Sequence, residues 1–125
     1  MPRHSPRVEI ARAYDALADN GSYRVLVDRL WPRGVSKETL KLDGWLKDLA
    51  PSAELRKWFN HQPERWDEFR RRYFQELDAL SSQVAELVAI IARQPVLLIY
   101  GSRDEKHNNA VALREYLLKA VSKAG

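Results

Sequence analysis

The chain has 125 residues, 45% of them apolar and 30% charged, with 5 Gly, 6 Pro, no Cys and a formal net charge of +4 at pH 7. This balance fits one folded domain over 1–125 and excludes disordered, collagen-like and disulfide-stapled classes. Without a thiol there is no cysteine nucleophile and no Cys-ligated zinc, and no apolar run approaches the roughly 18 residues of a membrane span.

The first residues, MPRHSPR, carry no apolar leader stretch, so a cytoplasmic protein with no membrane association is expected. Residues 8–14 alternate apolar and polar side chains in part, the pattern of a strand. A turn is expected at Asp19, Asn20 and Gly21. Residues 23–28 form a second strand whose centre, Val25, Leu26 and Val27, is continuously apolar, as in a parallel sheet covered on both faces.

Pro32 and Gly34 stop that strand. Ser36 caps a short helix in which Leu42, Trp45, Leu46 and Leu49 fall at helical spacing, and Pro51 closes it. Ser52 opens another turn or two with Leu55, Trp58 and Phe59 on one side. A longer helix follows the break at residues 62–64, with Trp66, Phe69, Tyr73, Leu77 and Leu80 on its apolar face. Ser81 and Ser82 interrupt it, and Val84, Leu87, Val88 and Ile91 mark another helix that ends before Pro95.

Residues 95–100 form a third strand, continuously apolar and therefore central. After a polar loop, a last helix runs from Asn108 with Ala110, Leu113, Leu117 and Val121 on one face and Lys119 and Lys123 near its C-terminus. The fold class is α/β, a small, mainly parallel sheet of three or four strands flanked by helices in two or three layers. The helical block makes strands two and three parallel by a right-handed crossover; strands one and two are either a hairpin or joined by a short crossover.

Open α/β sheets bind ligands outside the carboxyl ends of their strands, and two polar loops occupy such places, residues 28–37 and 101–109. The first offers Arg29, Arg33 and Lys37, with Trp31 as a wall and Asp28 at the strand end; the second offers Ser102 and Arg103, flanked by Tyr100 and Asn108. Guanidinium forks suit phosphate and carboxylate oxygens, and a strand that runs through glycine into a helix start is an anion site. An internal Asp–Arg pair with a tryptophan plug explains the first loop equally simply. Ser102 reads as an N-cap or turn residue rather than a nucleophile, since no partner base is visible in the sequence.

His4, His61 and His107 lack metal-ligand spacing, so neither a metal nor a cofactor is expected. Asp28 and His107 are the weak candidates for proton transfer. Arg70, Arg71 and Arg72 point in different helical directions beside Glu68 and Glu76, a solvated face rather than a nucleic-acid stripe. Trp45, Trp58 and Trp66 sit at core positions; Trp31, in a loop, does not.

Asp28-Arg-Leu-Trp-Pro-Arg-Gly34, Asp43-x-Trp45-Leu-Lys47, Pro51-Ser52, Leu55-Arg56-x-x-Phe59, Trp66-x-x-Phe69, Tyr73, Leu98-x-Tyr100, Asn108 and Ala110 together resemble the YeaO-like branch of the DUF488 family over nearly the whole chain. The resemblance implies an α/β fold and brings Arg56 in as a further site candidate; it implies no particular reaction. Longer relatives carry Asp-Val-Arg at the matching strand end and a cysteine loop after the later strand, similar to nucleotide- or oxyanion-handling sites. Here the later loop reads Gly101-Ser102-Arg103, so thiol transfer is not available. In the branch, Arg103 is often lysine, which keeps the charge, and Asn109 is often histidine, whose loss argues against assigning a general-base role to that position.

The leading expectation is a small anionic or phosphate-bearing ligand between the two loops, with Arg29, Arg33 and Arg103 as charge partners, Tyr100 and Asn108 as hydrogen-bonding groups and catalysis undecided. The alternative is a basic module for nucleic acid, the less favoured partner, or for an acidic protein. Oligomeric state is not legible in the residues.

Overall fold

Strand β4 (Val96–Tyr100) has all five residues buried and sits inside the sheet, because strands flank it on both sides. The computed structural model describes residues 7–15 and 21–124. Among these, the sheet comprises β1 (Val8–Arg12), β2 (Tyr23–Leu26), β3 (Gly44–Trp45) and β4, in the order β1-β4-β2-β3. Every pairing is parallel, with Val8 and Tyr23 both in register with Val96. The first two strands are therefore neither a hairpin nor neighbours; β4 lies between them. Of the turn expected at 19–21 only Gly21 is described, with the positive φ of 81° that glycine tolerates, and Asp19 and Asn20 lie outside the described residues.

The helices are α1 (Lys37–Leu40), α2 (Ala53–Phe59), α3 (Trp66–Asp78), α4 (Ser81–Ile91) and α5 (Asn109–Ala124). Ser36 and Ser52 cap α1 and α2 as expected, their hydroxyls accepting from the N–H groups of Thr39 and Leu55, each at 3.1 Å. The helix expected through Leu49 is different. It ends after one turn at Lys41, in the left-handed region, and Gly44–Trp45 joins the sheet beside β2 before a 3₁₀ turn at Lys47–Leu49. Backbone bonds from Asp43 N–H to Arg24 O and from Leu46 N–H to Leu26 O, each at 2.8 Å, hold that edge. A two-residue strand is too short to display an alternation of its own.

Apolar residues divide between the faces of the sheet by strand alternation. Val25, Val27, Val96, Leu98 and Tyr100 pack in the larger core with Leu55, Phe69, Tyr73, Leu87 and Leu113 from the helices. Leu26, Leu97 and Ile99 face the other way, into a smaller cluster covered by Leu40, Trp31, Val35 and Trp45. Two hydrogen bonds from α3 fix α2: Glu76 accepts from Ser52 N–H at 2.8 Å and from Ser52 Oγ–H at 2.6 Å. Tyr73, fully buried, donates to Leu49 O just ahead of that helix.

Candidate functional site

The loop that follows β2 is braced by two indoles. Trp45 Nε1–H donates to Asp28 O at 2.7 Å, and Trp31 Nε1–H donates to Val35 O at 2.6 Å. The two rings meet edge to face, their centroids 5.4 Å apart. Trp31 thus seals the smaller core on one side and presents its remaining surface to a cleft on the other. That double duty explains why tryptophan and proline follow a buried strand directly.

The cleft encloses about 550 Å³ between the loop after β2, helix α2 and the loop leading into α5. It lies beyond the carboxyl ends of β2 and β4, where a parallel sheet of this kind opens. The described residues lining it include three cations, Arg29, Arg56 and Lys57, and a single carboxylate, Asp28. His61 and His107 also reach it, and Phe59 and Phe69 supply apolar surface.

Asp28 ties the two strand ends together. Its Oδ2 accepts from Gly101 N–H at 2.8 Å and its Oδ1 from Asn109 Nδ2 at 3.1 Å, while the same Asn109 amide donates to Val27 O at 2.9 Å. Burial raises the Asp28 pKa above the ordinary carboxylate range, against the pull of these two donors and of the Arg56 charge. Gly101 eases the approach, since a Cβ there would stand 3.2 Å from Asp28 Oδ2, a tight contact.

The loop into α5 is organised by Asp104. Its Oδ1 accepts from the N–H groups of Lys106 and His107 at 2.8 and 2.9 Å, and its Oδ2 lies 3.0 Å from His107 Nδ1. Burial works to raise the Asp104 pKa, but these hydrogen bonds outweigh it and hold the group below its usual value. The His107 ring stands edge-on to Trp66, with centroids 5.4 Å apart. Asn108 is buried: its amide donates to Asp104 O at 2.8 Å, and its Oδ1 accepts from Val111 N–H at 3.0 Å, capping α5. Tyr100 is buried beneath, its hydroxyl pKa raised mainly by desolvation.

Of the residues expected from sequence, Asp28, Arg29, Trp31, Arg56, Ser102, His107 and Asn108 line this one cleft. Arg33, Lys37 and Arg103 are exposed and stand outside its lining, and Tyr100 belongs to the core. Lys57, Asn60, His61 and Asn109 are lining residues that were not among the expected ones. Asn60 and His61 end α2 with successive positive φ angles of 47° and 53°, which turns the chain sharply at the rim. An Asn after the apolar face of a short helix is a left-handed cap signal, and it was the available clue to that turn.

Arg29 Nε is buried and has no hydrogen-bond partner among the described residues. On α3 the arginines are paired: Arg71 and Arg72 both reach Glu68, at 2.6 and 2.8 Å, and Arg70 grips Glu115. Among the described residues there is no cluster of three His, Asp or Glu that could hold a metal, and no helix is long and apolar enough to cross a membrane.

Comparison with known proteins places the chain. It is 42% identical over 111 residues to an uncharacterized protein of Mycobacterium tuberculosis, covering 89% of this chain and 93% of the relative. A Mycobacterium bovis protein matches with the same identity and coverage. The uncharacterized protein YeaO of Escherichia coli is 38% identical over 110 residues, 88% of this chain and 96% of YeaO. No solved structure gives a significant match. A family profile described as "Inactive DUF488-N3 subclade" spans residues 7–125, and the chain belongs to the DUF488 family.

Proposed function

We propose that this protein binds a small anion in the cleft beyond β2 and β4, and that it does so without turning the ligand over. The observation that carries the reading is the convergence of Arg29, Arg56 and Lys57 from two separate parts of the chain on a space with one carboxylate. Cations gathered in a concave, partly apolar site raise the local anion concentration and bond it directionally.

Two of the lining groups that could move a proton also have contacts within the chain. Asp28 is held by Gly101 and Asn109, and His107 by Asp104 and Trp66. The word "inactive" in the family description agrees with binding in place of chemistry. A cytoplasmic location is part of the same proposal.

A thermal-shift series with phosphate, sulfate and acetate tests it. Phosphate at about 100 times its dissociation constant should stabilise the fold by roughly 2.7 kcal/mol. Arg56→Ala, at an exposed helix position, should remove the shift and leave the unliganded stability within about 0.5 kcal/mol of the parent. Melting temperatures indifferent to all three anions would refute the reading.

A further inference from the structure

We propose that the ligand is a free organic phosphate monoester with a planar apolar body, its head on Arg56, Lys57 and Arg29 and its body against Trp31. The inference rests on the anion-binding reading and narrows it to a chemical class.

Charge selects the head. Three cations against one carboxylate leave a surplus of two positive charges among the described lining residues. A phosphate monoester dianion cancels that surplus, whereas a monocarboxylate leaves half of it unmatched. Arg56 and Lys57 are consecutive and exposed in the last turn of α2, and neither forms a salt bridge among the described residues. Arginine adds a planar fork that fits two phosphate oxygens at once.

Shape selects the body. A space of about 550 Å³ is far larger than a bare inorganic ion fills and falls within the ordinary range for small-molecule sites. The loop after β2 gives it an apolar lining of Leu30, Trp31 and Pro32, and Phe59 and Phe69 extend that surface. Trp31 cannot swing away, because Val35 O holds its Nε1–H and Trp45 abuts its ring. A pre-set aromatic surface loses little freedom when a flat group stacks on it. Leu30 is 67% exposed at the same place, an apolar side chain left in water until something covers it.

Calorimetric titration of the full chain with phenyl phosphate, inorganic phosphate and benzoate separates the claims. Phenyl phosphate should bind roughly tenfold more tightly than either of the others. Trp31→Ala should bring the affinities for phenyl phosphate and phosphate together, and Trp31→Phe should keep them apart. Leu30→Ser, at an exposed position where folding is not at stake, should narrow the same gap. Equal affinity for phenyl phosphate and phosphate in the parent chain overturns the apolar body and leaves the anion reading standing. Benzoate as tight as phenyl phosphate overturns the dianionic head. Binding of none of the three overturns the anion reading itself.

Discussion

Gly101 N–H donates to Asp28 Oδ2 at 2.8 Å, a bond between residues 73 positions apart that links the ends of β2 and β4 beside the cleft. The two loops that define the site are thus set against each other by one carboxylate, with Asn109 from α5 completing its shell.

Gly101→Ala tests that clasp. The new Cβ would lie 3.2 Å from Asp28 Oδ2, so Asp28 must shift slightly and stretch its bonds to Gly101 N–H and Asn109. Overpacking of this sort costs about 1–3 kcal/mol, so urea unfolding should show a lower midpoint with an unchanged slope. A midpoint equal to that of the parent would mean that the clasp yields freely.

The protonation of Asp28 should appear in stability. Its pKa is raised by burial in the folded chain, so the native state holds that proton more tightly than the unfolded state does. Stability from this group therefore increases as pH falls through the raised folded value and levels off below the ordinary carboxylate range. Asp28→Asn removes the titration. The stability of the parent relative to the variant should grow between pH 7 and about pH 4, measured by urea denaturation at each pH. A constant difference would show that burial does not penalise the charge.

Trp45→Phe isolates the brace under the loop. The ring is kept in form, but the Nε1–H bond to Asp28 O at 2.7 Å is lost. The expected loss is about 1 kcal/mol, and amide exchange in residues 28–35 should accelerate. Unchanged exchange there would place the rigidity of the loop elsewhere.

Much of this arrangement is legible in the residues. The unbroken apolar centres at Val25–Val27 and Val96–Tyr100 announce parallel strands, and the breaks at Pro51 and Ser52 announce α2. The strand ends then locate the cleft, and with it Asp28, Arg29, Trp31, Ser102, His107 and Asn108. Which cations turn inward was not legible. Arg33 and Arg103 are neighbours of lining residues in sequence, yet a loop without a period gives no direction to its side chains, and both face solvent. Lys57 reads as ordinary helix surface until Glu76 and Tyr73 are seen to seat α2 beside the strand ends. Trp45 misleads because a strand residue followed by a 3₁₀ turn reproduces helical spacing over eight positions.

The central claim concerns where an anion binds, and amide chemical-shift mapping with inorganic phosphate addresses that place directly. Saturable shifts should gather at Arg29, Arg56, Lys57, Gly101 and Asn109, and Arg56→Ala should weaken the binding at least tenfold. Shifts centred on Arg33, Lys37 and Arg103, or spread without saturation over the basic surface, would contradict the account.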